Sequence, residues 1–198
     1  MLQITSFVPW TRAAASDTAA LLARLVRGDS AALDLLYRRE ATAVYRYAMA
    51  MAGDAAAAAD ATHDAFVALA ARPQGFDVAR GELGAYLAGI ARHSLLALRR
   101  VACEPLDDEA AADVGNADGS PEELCVRRQG REALWRAIGA LPWTQREALV
   151  LVDLQERPYG QAAAIAGCEL NTLRTRLHRA RQRLAELLGR VQQEVSHE

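Results

Sequence analysis

The chain has 198 residues and a formal net charge of -2, with 52% apolar and 24% charged residues. That length allows one domain or two small ones, each able to close a modest core. No apolar run is long enough to span a membrane, and the opening MLQITSFVPWTR lacks a basic leader with an apolar core, so a cytoplasmic protein without membrane insertion is expected.

A first helix is predicted from Ser16 or Asp17, carrying Leu21, Leu22, Leu25 and Val26 to Gly28. A second runs from Asp29 or Ser30 to Gly53, and Asp54 caps a third that continues through Ala71 and stops at Pro73. A fourth spans about Gly81 to Arg100, with Leu83, Leu87, Ile90, Ser94 and Leu98 near one face. Alanine and leucine dominate and strand formers are sparse, which predicts an all-α protein. Residues 16–100 then form a four-helix domain after a tail at 1–15.

Residues 101–120 lack an apolar period and are rich in Asp, Ala, Gly and Pro, as a flexible linker is. From 101 to 126 there are eight acidic residues and no basic one, while arginines gather on both sides. All 23 basic residues are arginine, which reads as a coding bias rather than a mechanism. A second small domain at 121–188 opens with a helix from Pro121 to Leu141 ended by Pro142, then a helix from Thr144 to Leu154. A tail follows at 189–198. Cys103, Cys125 and Cys168 are too far apart for a paired motif, and the four histidines complete no zinc spacing with them, so no metal or cofactor is expected.

The most informative stretch is Pro158 to Arg183, PYGQAAAIAGCELNTLRTRLHRARQR. Ala163 is small enough for two helices to cross closely, Gly167 suits the left-handed backbone that ends a helix, and Leu173 plugs the crossing. These offsets match a helix-turn-helix, whose second helix enters the major groove of DNA. Leu173, Leu177, Ala180, Leu184 and Leu187 form one apolar stripe, so Arg174, His178 and Arg181 point away from it. Residues 170–183 hold five arginines and no acid, a local charge suited to phosphates.

Together the two halves resemble the extracytoplasmic-function sigma factors of bacterial RNA polymerase, within the sigma-70 superfamily. ALPWTQREALVLVDLQERPYGQAAAIAGCELNTLRTRLHRARQRLAELL resembles sigma region 4, with Leu141, Pro142, Arg146, Glu147 and the run Arg176 to Arg181 in the usual places. DATHDAFVAL followed by GFDVARGELGAYLAGIARHSLLALRR resembles sigma region 2. The order and separation of the blocks also fit.

The resemblance implies partners and site residues. Asp60, His63 and Asp64, at i, i+3 and i+4 on one helix face, are implied to dock on the β′ clamp helices of core RNA polymerase; His63 stands where glutamine is usual and Ala61 where a larger apolar residue is usual. Arg72, Phe76, Arg80, Arg92, His93, Arg99 and Arg100 are implied to hold the melted non-template strand of the -10 element, since arginines interleaved with aromatics suit unstacked DNA. Tyr86 replaces the usual tryptophan and, beside Leu87 and Ile90, reads better as core; Phe76 fits either role. Asn171, Arg174, Thr175, Arg176, His178, Arg179 and Arg181 are implied to meet the -35 element, Arg174 at base edges and Arg176, Arg181 and Arg183 at phosphates. Asn171 is also placed to cap the recognition helix. Further implied partners are the β flap, promoter DNA and an anti-sigma factor, with the acidic linker tethering two DNA-binding halves. The alternative is a stand-alone helix-turn-helix transcriptional regulator that needs no polymerase. No paired carboxylates, nucleophile set or phosphate loop points to an enzyme.

Overall fold

The structure, a computed structural model, describes residues 15–79, 81–101 and 123–195. Arg80, Cys103 and the acidic linker beyond Val101 lie outside the described residues. Those described form α-helices and short helical turns, with no strand among them.

The N-terminal half holds α1 (Ala15–Val26), α2 (Ser30–Ala52), α3 (Ala55–Ala71) and α4 (Leu83–Val101). Local chemistry sets their ends. Asp29 Oδ1 accepts the Ala31 N–H at 3.0 Å and Asp54 Oδ2 accepts that of Ala57 at 2.6 Å, each satisfying a donor that the first helical turn leaves open. Gly28 and Gly53 take φ of 88° and 71°, the left-handed backbone in which a helix can end without a Cβ clash. α3 buries Ala58, Ala61 and Ala65 completely, and it packs between α2 and α4. Small side chains there let the three helices approach closely.

α4 departs from the predicted stripe. Its buried residues are Leu83, Gly84, Leu87, Ala88, Ala91 and Leu95, while Leu98 is half exposed. The face is set by Gly84, Ala88 and Ala91 as well as by the large apolar residues, because α4 must fit against α2, α3 and, from the other half, α7.

The C-terminal half holds α5 (Glu123–Gly139), α6 (Trp143–Leu149), α7 (Tyr159–Ala166) and α8 (Leu170–Val195). α6 runs into a wide π-type turn over Val150–Leu154 where a continuous helix is predicted. Glu156, at φ 52°, then reverses the chain. The reversal aims Gln155 and Arg157 inward while Glu156 stays in solvent. Gln155 Nε2 donates to the Ala43 carbonyl of α2 at 3.2 Å and its Oε1 accepts from Arg157 Nε at 2.9 Å.

One continuous apolar cluster runs from Leu22 of α1 to Ala180 of α8. The two bundles therefore share a core in this arrangement rather than keeping separate ones. Its largest wholly buried side chains include Leu36, Tyr47 and Met51 of α2. Truncating Leu36 to alanine is expected to cost about 2–5 kcal/mol through lost burial and the cavity left behind. Its neighbour Leu35 is 46% exposed, and the same change there costs under about 1 kcal/mol. Denaturant unfolding of both variants checks the difference.

Candidate nucleic-acid interface

Gly167, at φ 60°, ends α7, and its N–H returns to the Ala164 carbonyl at 3.3 Å. The chain then enters α8 after only Cys168 and Glu169. Leu173, Leu177 and Ala180 are buried and Leu184 and Leu187 partly so, which turns the opposite side of α8 outward. Asn171, Arg174, Thr175, His178, Arg179, Arg181 and Arg183 are all exposed, and Arg176 is half-buried. The sequence-derived -35 set thus lies along one helix, beside an open groove of about 380 Å³ that Thr144 and Gln145 of α6 help to line.

Several of these side chains are held in place. The Arg174 guanidinium sits 5.9 Å from the Tyr159 ring centroid and donates to Asn171 Oδ1 at 3.3 Å. Asn171 therefore orients an arginine rather than capping α8, which begins one residue earlier. Thr175 returns its hydroxyl to the Asn171 carbonyl at 3.0 Å. Arg181 makes a two-point ion pair with Asp153 at 2.9 and 2.6 Å, and that carboxylate holds the guanidinium's pKa above its ordinary value. Arg181 must share or leave Asp153 to reach a phosphate. Sequence reasoning missed Tyr159 and Asp153; the signal available was an aromatic at the start of the first helix of a helix-turn-helix.

The candidate -10 residues divide into two stripes on α4. His93 and Arg100, seven residues apart, are exposed. His93 Nδ1 lies 2.7 Å from the Gly89 carbonyl, which can only accept, so Nδ1 carries the proton and donates. Arg92 and Arg99, also seven apart, face the C-terminal half. Arg99 lies 4.8 Å over the Trp143 ring. Of the loop residues, Arg72 is exposed at the end of α3, and Phe76 is half-buried against Tyr86, their ring centroids 5.3 Å apart.

Arg92 is deeply engaged. Its Nε donates to Glu147 Oε1 at 2.6 Å, and Nη2 reaches Glu147 Oε2 at 3.4 Å and the Ala166 carbonyl at 3.0 Å. Glu147 is wholly buried, and Tyr47 of α2 donates its hydroxyl to Oε1 at 2.9 Å. Burial, then the adjacent carboxylate, pushes the Tyr47 phenol well above its usual pKa. Beside Glu147, Arg146 donates to the Met51 carbonyl of α2 at 2.9 Å, to Leu141 at 3.2 Å and also to Gly139. It satisfies carbonyls that helix ends leave open. Burial draws the nearby Arg157 guanidinium down to about 10, with Glu82, Tyr47 and Glu40 acting against that shift.

On α3, Asp60, His63 and Asp64 form an exposed patch, with Val67 half exposed one turn on. Thr62, Phe66 and Leu69 are buried behind it. Ala61 is wholly buried in the core rather than on this patch, where its small size serves packing between helices. No group of three or more His, Cys, Asp or Glu placed to hold a metal occurs among the described residues. None of the described helices is long and apolar enough to cross a membrane.

Residues 36–102 match the family model for Sigma-70 region 2, and residues 131–184 match that for Sigma-70, region 4. The ECF RNA polymerase sigma factor SigC of Mycobacterium tuberculosis is 33% identical over 181 residues, covering 88% of this chain and 94% of that protein. SigM of the same species, also an ECF RNA polymerase sigma factor, is 33% identical over 173 residues, with 86% and 84% covered. Among solved structures, the sigma factor RpoE in complex with the anti-sigma factor NepR from Bartonella quintana is 25% identical with a TM-score of 0.63, covering 79% of this chain and 96% of that one. CnrH, solved with the cytosolic domain of CnrY, shares the fold at 21% identity and a TM-score of 0.64, with 87% and 97% covered. Matched in both blocks, in their order and over most of its length, the chain belongs to the extracytoplasmic-function family of RNA polymerase sigma factors.

Proposed function

We propose that this chain, a cytoplasmic and non-catalytic subunit, binds core RNA polymerase and directs it to promoters by reading a -35 element with α8 and holding a melted -10 strand on α4. The observation that carries the reading is the outer side of α8. Base-reading candidates Arg174, Thr175, His178 and Arg179 lie there with phosphate-binding candidates Arg176, Arg181 and Arg183, all set by one buried leucine and alanine stripe. An arginine gives a guanine edge two parallel hydrogen bonds, and a neighbouring arginine fixes register on the backbone.

The exposed Asp60, His63 and Asp64 patch is the surface for the β′ clamp helices, and the C-terminal bundle meets the β flap. The exposed Arg72, His93 and Arg100 and the half-buried Phe76 belong to the strand-binding surface, with Arg80 assigned to it by sequence alone, and Arg92 and Arg99 extend it once the C-terminal bundle moves away. The domain division at 16–100 and 121–188, with a tether at 101–120, lets the halves reach separate elements, the second contact gaining from raised local concentration. An anti-sigma protein is the natural restraint on such a factor. Reconstituting the purified chain with core enzyme on a genomic DNA library, then mapping transcript starts, tests the reading. Starts that share two upstream elements support it, and no gain over core enzyme alone refutes it.

Two sets of substitutions probe the roles. Arg174→Ala is expected to cost about 1–3 kcal/mol of binding on a matched -35 site and to relax preference at one base position. Arg183→Ala should weaken all sequences alike and flatten the logarithmic salt slope by about 1. Affinities of the holoenzyme measured on matched and scrambled sites over a salt series separate the two. Replacing Asp60 and Asp64 together by alanine should weaken core binding by about five- to thirty-fold, the product of two charge contacts of about 0.5–1 kcal/mol each. Competition for core enzyme against the wild-type chain measures this.

A further inference from the structure

We propose that Tyr159 and Asp153 sort two outward arginines of α8, the tyrosine ring positioning Arg174 for a base edge while the carboxylate neutralises Arg181 against indiscriminate phosphate binding. The inference rests on the reading of α8 as the -35 helix and deepens it, because both positioning residues lie outside that helix. Asp153 belongs to the π-type turn at Val150–Leu154, and Tyr159 is the first residue of α7.

Arg174 and Arg181 are seven residues apart, which places them on one side of α8 with about 10 Å of rise between them. Tyr159 acts on both. Its ring centroid is 5.9 Å from the Arg174 guanidinium carbon. Its hydroxyl, behind the Asp153 carboxylate, contributes to holding the Arg181 pKa above its ordinary value.

The two cations are held by different chemistry. An aromatic face attracts a guanidinium through its quadrupole and takes up none of the N–H donors, and Asn171 accepts only one of them, from Nη1 at 3.3 Å. Arg174 is therefore oriented while keeping its charge and most of its donors for a guanine edge, where two parallel bonds need a fixed plane. Arg181 instead gives Nε and Nη2 to the two oxygens of Asp153 at 2.9 and 2.6 Å, and the pair carries no net charge. Both contacts lie at the surface: Tyr159 is 39% exposed, and the Arg181 and Asp153 side chains are 54% and 30% exposed. Contacts so exposed add little to folding, so their consequence falls on binding. An exposed arginine loses side-chain freedom when a base edge immobilises it, and prior ordering by the ring reduces that cost. Phosphates accept from many directions and gain less from such ordering. The ring thus favours a matched sequence over an arbitrary one, whereas a carboxylate beside the DNA backbone weakens every sequence alike.

The test uses holoenzyme reconstituted from core polymerase and the full chain. It is titrated, over a salt series, with promoter DNA carrying either the -35 element found by mapping transcript starts or a scrambled one. Tyr159→Leu keeps apolar bulk and helix propensity but removes the ring. It should weaken the matched site by about three- to ten-fold, leave the scrambled site within about two-fold, and have no further effect in an Arg174→Ala background. Tyr159→Phe restores the ring and with it the preference. Asp153→Asn should tighten both sites by about two- to five-fold and steepen the logarithmic salt slope by about 1. Equal losses on both sites, an undiminished Tyr159→Leu effect without Arg174, or no rescue by phenylalanine overturns the part given to Tyr159. Unchanged or weakened binding in Asp153→Asn overturns the part given to Asp153. A wild-type holoenzyme that does not distinguish matched from scrambled sites overturns the reading of α8, and the sorting with it.

Discussion

A carboxylate buried in an apolar core must find a cation or lose its charge, and the contact between the two bundles is built around that requirement at Glu147. Its partners, Arg92 and Tyr47, come from α4 and α2 of the other bundle. Arg146 next to it performs the complementary task, supplying donors to carbonyls at the ends of α2 and α5. The Arg-Glu pair by which region 4 is recognised in the sequence is thus also what joins the halves. Around it the apolar cluster closes, from Leu22 of α1 to Ala180 of α8.

Helix ends were legible because they depend on neighbours in sequence. Asp29, Asp54, Gly28, Gly53 and Gly167 each act within a few residues, and each is found in its expected role. The alternation on α8 was equally legible, since a buried leucine stripe fixes where arginines point. Asn171 does not cap because α8 begins one residue earlier, at Leu170, a boundary that spacing does not fix, and its side chain meets Arg174 instead. The π-type turn at 150–154 was missed for a related reason: an apolar run permits both turn and helix, and the choice is made by Gln155 reaching Ala43 of α2, 112 residues away.

Arg92 shows where charge patterning stops. In sequence it is one of several basic residues on a helix with a single acid nearby, and it reads as free for DNA. Its carboxylate lies 55 positions on, beyond the acidic linker. The exposed partners His93 and Arg100 are one position removed on the same helix, so rotation by one residue separates a surface open to ligand from one closed by the protein itself.

Glu147 and Arg92 join the two bundles in the free chain, and the proposed reading of separated -35 and -10 elements requires the bundles to part. Electron paramagnetic resonance distance measurement between spin labels on α3 and α8 tests it most directly, first on the chain alone and then with core polymerase on promoter DNA. A single short distance that lengthens by tens of ångströms in the complex is the expected result, given the spacing of the two elements. A distance that is the same in both states would contradict the account.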